Sequence, residues 1–277
     1  MRLQDATLVL EDRAAGRRVA IDGLSAELGA LAPGQPAPWS LRARLTADQP
    51  AATVTLDAKG QLARGDDGAV MLAPLALELK GDVGRRPLAL KAEGRMAFGN
   101  DGLQAAWTGR LDGSAFEATF TRAAGGDGKA RPGRLQLDAR LDALTLAAGQ
   151  ADAKGGAKDE AGPASPIVPS ALATLDAAVQ LRVGTLRVAG LHLQDVRLSA
   201  DARDGRVRVA PIRAALYGGS TDGQLTLDLR GAEPALALQQ TLTGVDVGAL
   251  LKDAAGHDRL QGRGDVTLRL AARGGGT

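Results

Sequence analysis

The chain has 277 residues, with 34 Lys and Arg, 32 Asp and Glu, 2 His, no Cys, two Trp, one Tyr and three Phe. The lack of Cys excludes disulfides and thiolate metal sites, and two His are too few for a three-His metal site. The near balance of charge argues against a nucleic-acid surface, and no apolar run resembles a signal peptide or approaches the ~20 residues of a membrane helix.

Alternation of apolar and polar residues recurs along almost the whole chain and predicts roughly 14 to 18 antiparallel strands, each with one apolar and one polar face. In the first half the alternating apolar positions include Val54, Leu56 and Ala58, then Leu75, Leu77 and Leu79, then Leu88, Leu90 and Ala92, then Leu135, Leu137, Ala139 and Leu141. Asp-Gly pairs predict hairpin turns at 22–23, 67–68, 101–102, 112–113, 127–128, 204–205 and 222–223.

The alternation stops at residues 149–166, which are rich in Gly, Ala, Lys, Asp and Pro and predict a flexible linker. The predicted division is therefore a β-rich segment at 1–148, the linker, and a β-rich segment at 167–277. Two short helices are expected in the second segment. One is capped by Ser170 and runs through Ala178, and the other covers 247–255, between the capping residue Asp246 and the stop at Gly256.

Two short helices cannot cover the apolar faces of so many strands. The sheet can close into a barrel, fold over as a sandwich, or curl into a trough that holds an apolar ligand. The fold expected here is mainly β, a long, strongly curved antiparallel sheet that forms an apolar groove, with two short helices. Small aliphatic residues would leave room for an acyl chain along this groove. Its expected lining residues are Leu181, Val183, Val207, Val209, Leu225, Leu227, Leu229, Val266, Leu268 and Leu270.

Three segments occur in a characteristic order: the turn Leu216-Tyr217-Gly218-Gly219, the helix entry Gly244-Val245-Asp246, and the strand opening Leu260-Gln261-Gly262. Through them, residues 179–277 resemble the C-terminal region of the AsmA family of bacterial envelope proteins. The resemblance implies a periplasmic protein that is anchored to the inner membrane and has bridge-like β-groove architecture. It also implies phospholipid, or another acyl-chain lipid, as the ligand, and a role in transport to the outer membrane or in its lipid balance. This chain lacks the family's N-terminal membrane helix and stops at Thr277, as expected of an internal fragment.

No catalytic constellation is visible in the sequence, and no enzyme activity, cofactor or metal is expected. His192 lies in an alternating strand and is expected to face water, and His257 follows a helix whose C-terminal dipole it would favour. The tripeptide at 263–265 is ordinary strand-start and turn chemistry. The Gly-rich stretch 125–133 is no P-loop, because Ala follows its Lys.

Three functions stay open from the sequence: a lipid-binding groove segment, a structural β-sandwich or envelope scaffold without a ligand, and an enzyme, which would need a polar constellation that the sequence does not offer. The strand at 266–270 is expected to lie at an unprotected sheet edge, where it could pair with other chains. No nucleic-acid partner is expected.

Overall fold

A computed structural model describes residues 1–12, 17–32, 35–48, 51–65, 68–84, 86–124, 133–146, 175–231, 233–256 and 261–274. The chain divides into two compact units, Met1–Gly133 and Arg134–Thr277. Within the described residues there are fifteen strands and one helix, which confirms the mainly-β prediction. The predicted linker at 149–166 lies outside the described residues.

The first unit is an antiparallel sheet whose strands follow one another in chain order, each paired with its neighbour. The order is linear, so this sheet is not closed into a barrel. Its strands are β1 (Arg2–Asp12), β2 (Arg17–Leu28), β3 (Ala37–Asp48), β4 (Ala51–Arg64), β5 (Val70–Val83), β6 (Arg86–Gly99), β7 (Gly102–Leu111) and β8 (Ser114–Ala123).

The second unit is also an open sheet in chain order. It comprises β9 (Leu135–Leu146), β10 (Ala177–Val188), β11 (Leu191–Arg203), β12 (Arg206–Leu216), β13 (Gly219–Asp228), β14 (Ala235–Asp246), the helix α1 (Val247–Ala255) and β15 (Arg263–Arg273). The pair β9 and β10 is parallel, which corrects the prediction of an antiparallel sheet throughout. Parallel neighbours need a connection of about a dozen residues or more, and residues 147–176 provide one.

The helix α1 has the predicted bounds, and its ends explain why. The Asp246 carboxylate accepts a hydrogen bond from the Ala249 amide at 3.0 Å, and Gly256 ends the helix in the left-handed conformation. The second predicted helix is wrong where it can be checked, because Ala177 and Ala178 begin β10. Alanine can occupy a helix or a strand, and here the two alanines are in a strand because they pair with β9 and β11. Residues 170–174 lie outside the described residues.

Tight turns account for several of the hairpins. Asp112-Gly113 and Asp204-Gly205 form two-residue turns in which both residues have positive φ, the geometry that matches the twist of the flanking strands. Two other Asp-Gly predictions are wrong, because residues 22–23 lie inside β2 and 222–223 inside β13. At the first of these, the pairing of β2 with β3 shifts register, so Gly23 serves a β-bulge instead of a turn.

The hydrophobic core is thin, because each sheet is shielded mainly by its own side chains. Most of the buried hydrophobic side chains are alanines, while larger side chains such as Leu3, Leu8 and Leu268 stay exposed. The most buried cluster lies in the second unit, where Val183, Val196 and Ala214 pack with partly buried leucines. Small residues are therefore covered by larger neighbours on adjacent strands, and the larger ones keep part of their surface open.

Both tryptophans lie in one row of side chains across the first sheet, each directly opposite a glycine. Trp39 pairs with Gly60 and Trp107 with Gly94, and Leu75 between the two glycines is only 4% exposed. A Cβ atom added at Gly94 would lie 2.9 Å from Trp107 Cε3 and still closer to the Ala106 carbonyl oxygen. The indole thus occupies the space that a side chain on the neighbouring strand would need.

We expect Gly94→Ala to destabilise the first unit by about 1–3 kcal/mol, because the new methyl group must displace the indole or the backbone. The urea midpoint, followed by tryptophan fluorescence, measures the change. Gly99→Ala, in the same strand, is the matched control, since its Cβ would meet Ala69 Cβ at an ordinary 3.5 Å. Equal midpoints for the two variants would show that the close packing at Gly94 does not contribute to stability.

The helix α1 is fastened to the hairpin ends by one carboxylate. Tyr217, in the β12–β13 turn, donates its hydroxyl to Asp253 Oδ2 at 2.8 Å, and His192 Nδ1 lies 3.3 Å from the same oxygen. A Cβ at Gly190 would lie 2.7 Å from the Asp253 carbonyl oxygen, so the helix approaches the β10–β11 turn closely. His192 is thus partly exposed, as predicted, and takes part in holding the helix.

This arrangement shifts two pKa values in opposite directions. The hydrogen bond from Tyr217, helped by His192, lowers the pKa of Asp253. Burial, followed by the bond to Asp253, raises the pKa of the Tyr217 hydroxyl. A carboxyl whose folded pKa is lowered stabilises the fold above its unfolded pKa, and that contribution is lost as the pH falls through the folded value.

We therefore expect Tyr217→Phe to lower the Tm at neutral pH, with the difference from wild type narrowing below about pH 4, the usual pKa of Asp. Circular-dichroism melts between neutral and acidic pH measure this. In a chain that also carries Asp253→Asn, Tyr217→Phe should have no acid-dependent effect. A difference in Tm that stays constant down to acidic pH would contradict the role of Asp253.

Candidate functional site

One candidate surface in the second unit is the apolar face of its sheet. Residues that pair directly across the strands share a face, so the register places the apolar side chains in rows. One row is Ala202, Val207, Leu227, Leu236 and Ala272, and the next is Ala200, Val209, Leu225, Leu238 and Leu270. Five of the predicted lining residues stand in these two rows.

Three more of the predicted lining residues lie at the margins of this face. Leu229 follows the end of β13, and its amide donates to the Gly205 carbonyl at 2.7 Å. In β15, Val266 stands opposite Leu242 and Leu268 opposite Gln240, and both side chains are nearly half exposed. The apolar face therefore becomes more open towards β15.

Leu181 and Val183 have a different environment. Leu181 stands between Ala139 and Leu198, and Val183 between Leu141 and Val196. Val183 is only 2% exposed and belongs to the most buried cluster of the unit. Val183 therefore packs in the hydrophobic core of the unit and has almost no surface that a ligand could contact.

The first unit carries a comparable apolar face that the sequence-based list of lining residues did not include. Its rows contain Leu41, Ala58, Leu77 and Ala92 in direct register. The indole nitrogen of Trp39 is buried there without a hydrogen-bond partner in the described part of the chain. The alternation of Leu75, Leu77 and Leu79 already indicated this face, whereas the position of Trp39 depends on strand register.

The polar face of the first sheet carries a cavity and several ion pairs. A cavity of about 950 Å³ opens on the first sheet beside Arg42, Asp57, Glu78 and Lys91. Charges of opposite sign meet in it, with Arg42 Nε at 2.6 Å from Asp57 and Lys91 at 3.7 Å from Glu78. Lys80, and then Lys91, lowers the pKa of Glu78. This cavity is thus lined by neutralised ion pairs.

A cavity of about 880 Å³ opens on the polar side of the second sheet, and arginines dominate it. Its lining includes Arg203, Arg206, Arg208, Arg230 and Arg269 beside Asp201 and Asp204. Arg230 is paired with Asp228, whose pKa it holds well below the ordinary value. The polar side therefore offers hydrogen-bond donors for anions, whereas the apolar side offers surface for hydrocarbon.

The smaller motifs have structural roles where they can be seen. In the tripeptide at 263–265, which opens β15, the Asp265 carboxylate accepts a hydrogen bond from the Gly244 amide at 2.7 Å. This bond fixes the entry to α1. His257, Lys129 and most of the stretch 125–133 lie outside the described residues.

The described residues contain no group of three or more His, Cys, Asp or Glu side chains that could hold a metal ion. Among them there is also no helix of sufficient length and hydrophobicity to cross a membrane.

The segment around α1 is similar to a known protein family. Residues 144–277 match the model of the AsmA family. This match includes the Tyr217 turn, the Asp246 cap and β15, and it begins within β9, earlier than the resemblance seen in the sequence. Searches of the curated proteins and of the solved structures gave no match. Residues 144–277, just under half of the chain, are thus similar to the AsmA family, and this similarity suggests a protein of the bacterial cell envelope.

Proposed function

We propose that the apolar faces of the two sheets bind the acyl chains of phospholipid or of another lipid. In this proposal the chain is the lipid-binding groove segment of a periplasmic protein that is anchored to the inner membrane. That protein transports phospholipid to the outer membrane or maintains its lipid balance, and this chain catalyses no reaction. The family match over residues 144–277 supports the envelope setting, and the open apolar face supports the ligand class.

The observation that carries the proposal is the exposure of the apolar rows. Val266, Leu268 and Leu270 are each nearly half exposed, and α1 contacts the second sheet mainly at β11 and β14. Each methylene removed from water contributes about 0.8 kcal/mol, so a 16-carbon chain that is fully covered gains on the order of 10 kcal/mol. An acyl chain lying along such rows would remove apolar surface of both partners from water.

Irregularities in the strands support the expected curvature. Pro74 lies where the pairing of β5 with β6 shifts register, and Pro211 lies where the pairing of β12 with β13 shifts. Proline cannot donate to a sheet ladder, and bulges bend a strand and increase its twist. Bends at these places would favour a trough over a flat sheet.

The test compares Leu227→Glu with Thr226→Glu, which differ by one residue and point to opposite faces. Leu227 stands between Val207 and Leu236 in an apolar row, whereas Thr226 faces Arg208, where a new carboxylate would find a counter-charge. We expect Leu227→Glu to cost less than about 1.5 kcal/mol of stability, because its carboxylate can reach water, and to abolish lipid co-purification. Native mass spectrometry and thermal melts measure the two effects.

The control, Thr226→Glu, should keep both the wild-type Tm and the bound lipid. A closed sandwich would behave differently, since Leu227→Glu would then bury an unpaired charge and unfold the protein. Unfolding of this variant, combined with a wild-type chain that never carries lipid, would favour the ligand-free envelope scaffold and remove the basis of the proposal.

Self-association through β15 belongs to the same proposal. On one side β15 pairs with β14, and on its other side no partner strand is present among the described residues. We expect sedimentation velocity to show concentration-dependent self-association, and Leu268→Lys to reduce it, since charges on edge strands oppose pairing. Monomeric behaviour of the wild-type chain at high concentration would contradict an available edge.

A further inference from the structure

Four arginines lie side by side across four adjacent strands on the polar face of the second sheet. Arg182 in β10 is in direct register with Arg140 in β9 and with Arg197 in β11, and Arg197 is in register with Arg213 in β12. All four residues are exposed. Neighbouring strands are about 4.8 Å apart, so this arginine row spans about 15 Å.

Three members of the arginine row form no ion pair within the described part of the chain. Arg213 pairs with Asp222, but Arg140, Arg182 and Arg197 have neither an ion pair nor a hydrogen bond with any described residue. Like charges placed directly opposite each other destabilise a sheet. The repulsion among these three arginines is therefore not relieved by a direct ion pair with a described residue.

The first unit shows what a compensated row looks like. There a row of charged residues on the polar face runs Arg42, Asp57, Glu78, Lys91 and Arg110, with acidic residues between the basic ones. Ion pairs join Arg42 to Asp57 and Lys91 to Glu78. The same sheet geometry thus accommodates charges in pairs, and the arginine row departs from that pattern.

The surroundings of the arginine row suit a ligand. A cavity of about 450 Å³ is lined by Arg140, Arg182 and Arg197, with Gly184 leaving one position beside them free of a side chain. Asp142 and Asp195 also line it. The opposite face of the same strands is the buried Val183 cluster, which holds the backbone of the row in place.

We propose that the arginine row binds a ligand carrying two or more phosphate groups. Guanidinium groups match phosphate oxygens in a forked, two-bond geometry, and adjacent arginines about 5 Å apart can engage neighbouring phosphates. Such phosphates belong either to the headgroups of anionic phospholipids at a membrane surface or to a soluble polyphosphate. The site lies on the face opposite the apolar rows and stands independently of acyl-chain binding.

The experiment uses the full chain and two probes. One is inorganic tripolyphosphate, followed by calorimetry at low salt, and the other is co-sedimentation with vesicles of phosphatidylglycerol and phosphatidylcholine, against phosphatidylcholine alone. The double variant Arg182→Gln, Arg197→Gln should weaken binding about tenfold or more, since two charge-assisted contacts are lost. Its matched control, Arg42→Gln with Arg110→Gln, removes the same net charge from the first unit and should change binding less than about twofold.

Two further measurements separate a binding role from a structural one. Removing repulsion should leave the Tm of the Arg182→Gln, Arg197→Gln variant equal to or above that of wild type. The variant Arg182→Lys, Arg197→Lys keeps the positive charges but loses the forked guanidinium geometry, and it should bind both probes less tightly than wild type.

Binding of tripolyphosphate without vesicle selectivity would support a soluble ligand, and selective binding of phosphatidylglycerol vesicles would support a lipid headgroup. Absence of binding to both probes, or equal losses of binding in the Arg182→Gln, Arg197→Gln variant and in the Arg42→Gln, Arg110→Gln control, would overturn the proposal.

Discussion

Side chains in a sheet without a second layer can be shielded only by their neighbours along the strand and across the strands. This constraint explains why the buried positions are mostly alanines and why leucines of the same rows keep open surface. It also explains the pairing of Trp39 with Gly60 and of Trp107 with Gly94, where the indole covers the backbone of a residue that has no side chain. An apolar face that shields itself so incompletely keeps part of its hydrophobic surface open.

Local signals in the sequence predicted local structure well. Alternation located the strands, and the Asp246 and Gly256 pair located α1 to the residue. The errors arise where tertiary pairing overrides a local signal, as at Ala177 and Ala178, which join β10, and at Gly23, which serves a bulge. The parallel pairing of β9 with β10 could not be predicted from strand patterns, since these patterns carry no information on direction.

Of the two candidate surfaces, the apolar face could be predicted from local patterns and the arginine row could not. Alternation alone identified the apolar face, because alternate residues of a strand share a side, but it could not separate the buried Val183 from the open Leu268. The arginine row was missed altogether. Its members, Arg140, Arg182, Arg197 and Arg213, are far apart in the chain, and turns and bulges set the register that joins them. A sheet of this kind can present hydrocarbon contacts on one side and cationic contacts on the other.

The linear strand order of each unit has a consequence for how the molecule comes apart. Each interior strand is held by just two neighbours, so stability accumulates interface by interface, as in repeat proteins, instead of residing in one shared core. Terminal strands then fray first, and amide exchange should slow progressively towards the middle of each sheet. A single melting temperature would summarise a graded loss of strands, in which the ends of a sheet exchange with solvent while its centre is still intact.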